Sequence, residues 1–382
     1  MNILIIKLSP VEGLSSSMIR TLALTKGLLT LGHHVDFLTI PISECHVIGK
    51  CYDFLENVRI IRTKENTRYD SITSKKDKSK NVKIGIENIL RKTYHKFSLY
   101  DYTYSMAKRV DINLLKTKYY DVVISSSDPK TAHIAAKQLF EQGLKYKKWI
   151  QYWGDPMALD ITNKSIYPQW VIKKVENDLL KSADKIIYVS PFTLKKQKKA
   201  FPKLAQKMIF LPTPYIQEKL YDETQNMKFT IGYFGAYTNR VRNIFPLYKA
   251  GKLMKDSIIV NIVGNSDIVL EETDNIKVYP RGDISRFERE ADLLVCMLNR
   301  GGTQIPGKVY HYAATNKPIL ILLDGDNMNE IREYLESFNR YIICNNEAES
   351  IVNAINNIKN YPKTALPCNE FKPEKIAEAF IS

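Results

Sequence analysis

No apolar run in the sequence approaches the roughly 18 to 20 residues that a membrane-spanning helix requires; residues 319–323, after Pro318, are among the longest. Residues 1–8 carry neither a basic leader nor a small-residue cleavage site, so they read as a first strand and the chain is expected in the cytoplasm. Cysteine is scarce. The five residues, Cys45, Cys51, Cys296, Cys344 and Cys368, are scattered and odd in number, which argues against a disulfide framework. Without CxxC spacing they also argue against a zinc site. The GxGxxG fingerprint of dinucleotide oxidoreductases is missing. Carboxylates are in the minority, 41 Asp and Glu against 56 Lys and Arg, for a formal charge of +15.

That excess is local. Residues 61–120 hold fifteen Lys or Arg against six Asp or Glu, and a second cluster runs through Lys195, Lys196, Lys198, Lys199, Lys203 and Lys207. Such patches suit an anionic surface, phospholipid or nucleic acid. With 382 residues and 44% hydrophobic content, the chain has enough apolar material for two cores.

Short β-branched runs alternate with helical periods, the pattern of parallel strands joined by crossover helices, so the class is α/β. Strands are predicted at 2–7, 34–40, 58–62, 121–125, 148–152, 185–189 and 207–211. The rhythm restarts at 229–234, then 258–263, 276–279, 293–297, 318–322 and 341–343. Pro212, Pro214 and the polar stretch 217–228 mark a linker. Domains are expected at 1–219 and 220–382, with the last helix free to pack back on the first. The first helix is predicted to start near Ser16 or Ser17, to turn Met18, Ile19, Leu22, Leu28 and Leu29 inward, and to stop before Gly32. The low-complexity patch 74–80 reads as a mobile loop.

Open parallel sheets bind ligands at the carboxyl ends of their strands. In the first such loop, Gly13 and Ser15 can present donors to a phosphate at a helix start, or simply form a serine-capped turn. Two further strands end in Ser125-Ser126-Ser127-Asp128-Pro129 and in Gln151-Tyr152-Trp153-Gly154-Asp155-Pro156. Asp155 can accept a hydrogen bond from an acceptor hydroxyl, or serve as a turn carboxylate. Asp324-Gly325-Asp326 mimics a metal-binding DxD, yet its context favours a turn, and no metal ligands are assigned.

Read together, the glycine-bearing first loop, residues 31–39 and residues 182–190 resemble the large retaining glycosyltransferase family 4. The second half adds Ile231-Gly232-Tyr233-Phe234-Gly235 leading to Arg242-Asn243, then residues 260–264, then Gln304-Ile305-Pro306-Gly307-Lys308 through Pro318. The resemblance implies a GT-B architecture: two Rossmann-like domains with parallel sheets facing across a cleft, the C-terminal one holding a nucleotide diphosphate sugar and the N-terminal one the acceptor. It implies donor contacts at Gly235, Arg242, with Arg240 as the alternative, Asn243, Thr303, Gln304, Pro306, Gly307, Lys308 and His311. Thr303 and His311 stand where many members carry two glutamates, so both carboxylates are missing. The segment at Asp155-Pro156 resembles the Arg-Asp-Pro-Trp of exopolysaccharide and lipopolysaccharide transferases, with Gly154 in the arginine's place.

The expected activity is retaining transfer to a lipid-linked or polysaccharide acceptor, without cofactor or metal. A non-catalytic sugar-binding protein of this fold and a nucleotide-sugar epimerase are the alternatives. Aromatics beside Lys92, Lys96, Lys108 and Arg109 point to peripheral attachment at the inner face of an anionic membrane, in preference to nucleic acid.

Overall fold

The computed structural model describes the chain except residues 14, 43–48, 50, 64–92, 95, 102, 161–164, 224, 239, 302, 326 and 361–364. Lys92, Cys45, Asp326 and the 74–80 patch therefore lie outside the described residues. The chain divides into two compact units, Met1–Ile216 with Pro373–Ser382, and Gln217–Lys372.

The first unit is built on a seven-stranded sheet: β1 (Asn2–Ile6), β2 (His34–Thr39), β3 (Arg59–Arg62), β4 (Tyr120–Ser126), β5 (Tyr146–Trp153), β6 (Lys185–Tyr188) and β7 (Met208–Phe210), in the order β3-β2-β1-β4-β5-β6-β7. The second has β8 (Phe229–Phe234), β9 (Ile258–Val263), β10 (Ile276–Tyr279), β11 (Leu293–Met297), β12 (Ile319–Leu323) and β13 (Ile342–Asn345), in the order β10-β9-β8-β11-β12-β13. All pairings are parallel, and both orders reverse beside the unit's first strand, the switch point of a doubly wound sheet. Thirteen strands stand where the β-branched runs predict them, with ends differing by up to two residues.

Alternation along the strands supplies both faces of the first sheet. Ile3 and Ile5 join Val122, Ile124 and Ile150 on one side; Leu4 and Ile6 join Val123, Trp149 and Trp153 on the other. The first face is covered by α1 (Ser16–Thr30) and the C-terminal helix Pro373–Ile381, through Met18, Leu22, Leu28, Ala377 and Phe380. The second is covered by α2 (Thr131–Glu141) and α3 (Gln169–Leu180). In the second unit, helices Phe245–Leu253 and Ala348–Asn360 cover Ile231, Val260, Leu293 and Leu320.

The cap of α1 is Ser15, one residue ahead of the two serines predicted. Ser15 keeps extended backbone (φ −131°, ψ 150°) and its Oγ accepts from Met18 N at 3.1 Å, whereas Ser16 is already helical. Within α1, Met18, Leu22 and Leu28 are buried, while Ile19 and Leu29 remain partly exposed.

Gly27 lets the C-terminal helix approach, since a Cβ there would overlap the carbonyl of Pro373. Alanine normally favours a helix interior over glycine by about 1 kcal/mol. Here the overlap reverses the sign. Gly27→Ala is expected to lower stability by about 1 to 3 kcal/mol in urea denaturation; a stabilised variant would show that the two helices are not packed this closely.

Candidate functional site

In the first unit the strand ends gather buried charge. Lys7, the residue after β1, is fully buried and its ammonium donates to the carbonyls of Ser127 (2.9 Å) and Asp128 (2.7 Å) in the loop after β4. Arg20 on α1 donates to the same Ser127 carbonyl and lies 4.6 Å above the Tyr152 ring. Burial, and next the Arg20 charge, hold the Lys7 ammonium well below the usual lysine range. The Ser127–Asp128 and Asp128–Pro129 peptides are both cis. Ser17 Oγ donates to the Asp128 carbonyl at 2.9 Å.

Besides Asp101, whose Oδ1 accepts from Thr103 N at 2.9 Å, three carboxylates share this region. Lys130 pairs with Asp128 (2.9 Å) and Asp160 (3.3 Å). Burial alone would lower the Lys130 ammonium, but Asp128, Asp160 and Asp155 together raise it. Asp155 follows β5 and is partly exposed. Its carboxyl is raised to about 7, chiefly by desolvation and then by Asp128. Among the described residues nothing hydrogen-bonds that carboxylate, so it is the one acid in the group left open to a ligand.

Gly154 has a steric explanation. A Cβ there would run into the Arg20 guanidinium, and the Gly154 amide donates to Ser127 Oγ at 2.9 Å. The Arg20 guanidinium therefore occupies the space a side chain at position 154 would take. Sequence reasoning missed Lys7, Arg20 and Lys130, and quoted Asp128 without giving it a role. The one signal was a lysine closing an apolar strand and an arginine inside the apolar stripe of α1.

His133, on α2, is neutral, its imidazole lowered to about 3 by burial. Trp149 Nε1 donates to Ser125 Oγ (2.8 Å), which leaves that hydroxyl to donate to His133 Nδ1 (2.7 Å). The ring stacks on Trp153 and belongs to the core.

Gly13 and Ser15 are engaged in local structure: the Gly13 amide donates to the Pro10 carbonyl and Ser15 Oγ caps α1.

In the second unit the site lies at the ends of β8 and β11. The Gly235 amide donates to the Val263 carbonyl, and a Cβ on Gly264 would overlap the Gly235 carbonyl, so the ends of β8 and β9 meet backbone to backbone. Arg242 donates from Nε to Asn299 Oδ1 (2.9 Å) and from Nη1 to the Ala236 carbonyl (3.2 Å). Lys308 is half-buried, and its ammonium sits 5.3 Å over the Tyr312 ring without a hydrogen-bond or ion-pair partner among the described residues. Burial lowers it to about 8.

Both cations act on the Cys296 thiol of β11. Burial pushes that thiol up to about 12, and Arg242 and Lys308 pull against the rise. Two cations that are 66 positions apart in sequence thus bear electrostatically on one thiol. Arg240, by contrast, is exposed.

The remaining predicted residues divide between turns and this pair. Asn243 Oδ1 accepts from Phe245 N at 3.3 Å. Thr303 is buried and its amide donates to Gln304 Oε1 at 3.2 Å. The Pro306 and Gly307 carbonyls accept from Val309 and His311 at the start of the short helix Lys308–Tyr312. Burial and then Lys308 lower the His311 imidazole to about 3, and its Nε2 is buried without a hydrogen-bond partner among the described residues. Asp324 accepts from Asn346 (3.1 Å) and lies 3.8 Å from Arg300, ahead of Gly325 at φ +89°.

Of the surface cations, Lys96, Lys108 and Arg109 are exposed; Lys96 lies 5.9 Å from the Phe97 ring and Lys108 4.6 Å from the Tyr104 ring. Tyr100 and Tyr104 instead stack on each other and pack against the core, and Met106 is buried, so that stretch is less of an aromatic surface than its composition suggests.

Neither a protein-family model nor a curated protein matches the sequence. Solved structures match over essentially the whole chain. Sucrose-phosphate synthase of Thermosynechococcus elongatus is 14% identical, with a TM-score of 0.55 over 100% of this chain and 95% of that one. The E. coli trehalose-6-phosphate protein bound with UDP-2-fluoro glucose is 9% identical, with 0.54 over 100% and 95%. A Listeria monocytogenes protein described as a UDP-N-acetylglucosamine 2-epimerase is 11% identical, with 0.51 over 99% and 94%. The chain has the GT-B fold, two Rossmann-like units with parallel sheets.

Asp155 generates a stability prediction. Its folded value of about 7 lies above its ordinary 3.8, so the native state holds the proton more tightly than the unfolded chain. Stability is therefore lost as pH rises from about 4 through 7. Each pKa unit corresponds to about 1.4 kcal/mol, and the partial exposure of the group reduces the sum. Asp155→Asn is expected to be more stable than the parent by about 1 to 3 kcal/mol at pH 8 and equal to it at pH 4. A variant that loses stability at pH 8 would show the carboxylate to be structural.

Proposed function

We propose that the chain is a retaining glycosyltransferase that moves a sugar from a nucleotide diphosphate sugar to a hydroxyl of a lipid-linked or polysaccharide acceptor, working peripherally at the cytoplasmic face of a membrane. The observation that carries this reading is the pair Arg242 and Lys308, set in the segments after parallel strands and lacking carboxylate partners among the described residues. Negative charge grows on the leaving diphosphate as the sugar–oxygen bond breaks, and fixed cations stabilise it without a metal. The UDP-2-fluoro glucose held by the E. coli neighbour is a donor analogue of this chemistry.

The sugar C1–O bond to the diphosphate breaks heterolytically, the electron pair leaving with the phosphate oxygen. The acceptor oxygen bonds C1 on the same face, and its proton passes to the departing phosphate. Asp155 accepts a hydrogen bond from the acceptor hydroxyl and positions it. With carboxylates absent at Thr303 and His311, a hydroxyl is left for the donor's sugar and a neutral imidazole for its ribose.

Incubation with labelled nucleotide sugars in EDTA tests the reading. Transfer to a membrane or glycan acceptor is expected; an epimerised nucleotide sugar, or binding without turnover, overturns it. Arg242→Ala is expected to weaken nucleoside diphosphate binding roughly tenfold or more, in line with about 1.5 to 3 kcal/mol for a charge-assisted hydrogen bond. Arg240→Ala should bind as the parent does. Calorimetry with the order reversed would move the site to Arg240.

A further inference from the structure

The three tryptophans divide sharply. Trp149 and Trp153 are fully buried, whereas Trp170, in the first turn of α3, is 69% exposed. Ile166 and Tyr167, just before that helix, are exposed as well. This stretch is fastened to a distant one: the Ile166 amide donates to the Lys96 carbonyl (3.1 Å) and Tyr167 Oη to the Phe97 carbonyl (3.3 Å). Phe97 is itself 55% exposed. Four large apolar side chains from two segments about 70 residues apart therefore share one surface, where leaving them in water is unfavourable.

Within these two stretches the charges have one sign, and the nearest partly exposed acid along α3, Asp178, is paired with Lys181 at 2.7 Å. Lys173 and Lys174 are exposed and lie three and four positions after Trp170, on the same face of α3, while Lys96 lies beside the Phe97 ring. Residues 165–174 contain no carboxylate, and neither do residues 93–100. Protein interfaces take up tryptophan and tyrosine but are depleted in lysine. A bilayer interface uses both, with amphipathic rings at headgroup depth and ammonium groups among the phosphates.

We propose that this surface, centred on Trp170, is where the first unit docks on an anionic phospholipid bilayer. Ile166, Phe97 and the Trp170 ring enter the acyl boundary, and Lys96, Lys173 and Lys174 meet the headgroups. The proposal deepens the reading of a membrane-borne acceptor and rests on it for its purpose, yet docking can be measured without any transfer.

Because the other two tryptophans are buried, Trp170 reports its own surroundings. Mixing the protein with phosphatidylcholine vesicles containing phosphatidylglycerol should shift its emission to the blue, and the shift should vanish in Trp170→Phe. In Lys173→Gln/Lys174→Gln, co-sedimentation with the same vesicles should fall roughly tenfold or more and parent binding should weaken as salt rises. An unchanged spectrum, an equal shift with pure phosphatidylcholine, or retention on single-stranded oligonucleotide in place of vesicles would overturn the proposal. Transfer to a water-soluble acceptor, measured alongside, separates failure of docking from failure of the transferase reading.

Discussion

Cations held by backbone carbonyls and aromatic rings, instead of by carboxylates, recur at the strand ends of both units, and the functional reading depends on them. Lys7 and Arg20 share the Ser127 carbonyl. Arg242 is fixed by the Ala236 carbonyl and the Asn299 amide oxygen, and Lys308 by the face of Tyr312. Carbonyl dipoles orient such a cation and offset part of its desolvation, but they leave its charge in place. The two units then differ in how that charge is met.

In the first unit it is matched. Asp128 and Asp160 pair with Lys130, and Asp128 also lies in the fields of Lys7 and Arg20, so the region is close to neutral and leaves only Asp155 without a hydrogen bond among the described residues. A neutral site with one open carboxylate suits a hydroxyl-bearing ligand. In the second unit no carboxylate is paired with Arg242 or Lys308 among the described residues; Glu288, the acid that most raises the lysine, is taken by Lys219 at 2.6 Å and Tyr221 at 2.7 Å. Uncompensated positive charge at the ends of parallel strands suits a diphosphate.

The frame was legible in the sequence because buried parallel strands are written as β-branched runs between turn residues. β8, β9, β10 and β11 coincide with their predicted spans. Ends were less legible: β5 extends to Tyr146 and Trp153, beyond 148–152, because pairing with neighbours rather than composition decides where a strand stops. Three consecutive serines left the cap of α1 to backbone geometry. For the site, loop motifs nominated Arg242 and Lys308, but that both charges bear on the Cys296 thiol needed the fold. Lys7 and Arg20 were given no role, since a lysine closing an apolar strand and an arginine inside an apolar helix stripe hint at burial without showing which loop they turn under. Trp170 stayed hidden for the opposite reason, because an aromatic at a helix start is usually read as core.

The account's central claim is that the second unit binds a nucleoside diphosphate through Arg242 and Lys308. Crystals of the full chain soaked with a panel of nucleoside diphosphates test it most directly. The account predicts phosphate density within hydrogen-bond reach of both side chains, at the ends of β8 and β11. Phosphates bound elsewhere on the chain, or none bound by crystals whose strand ends are open to solvent, would contradict it.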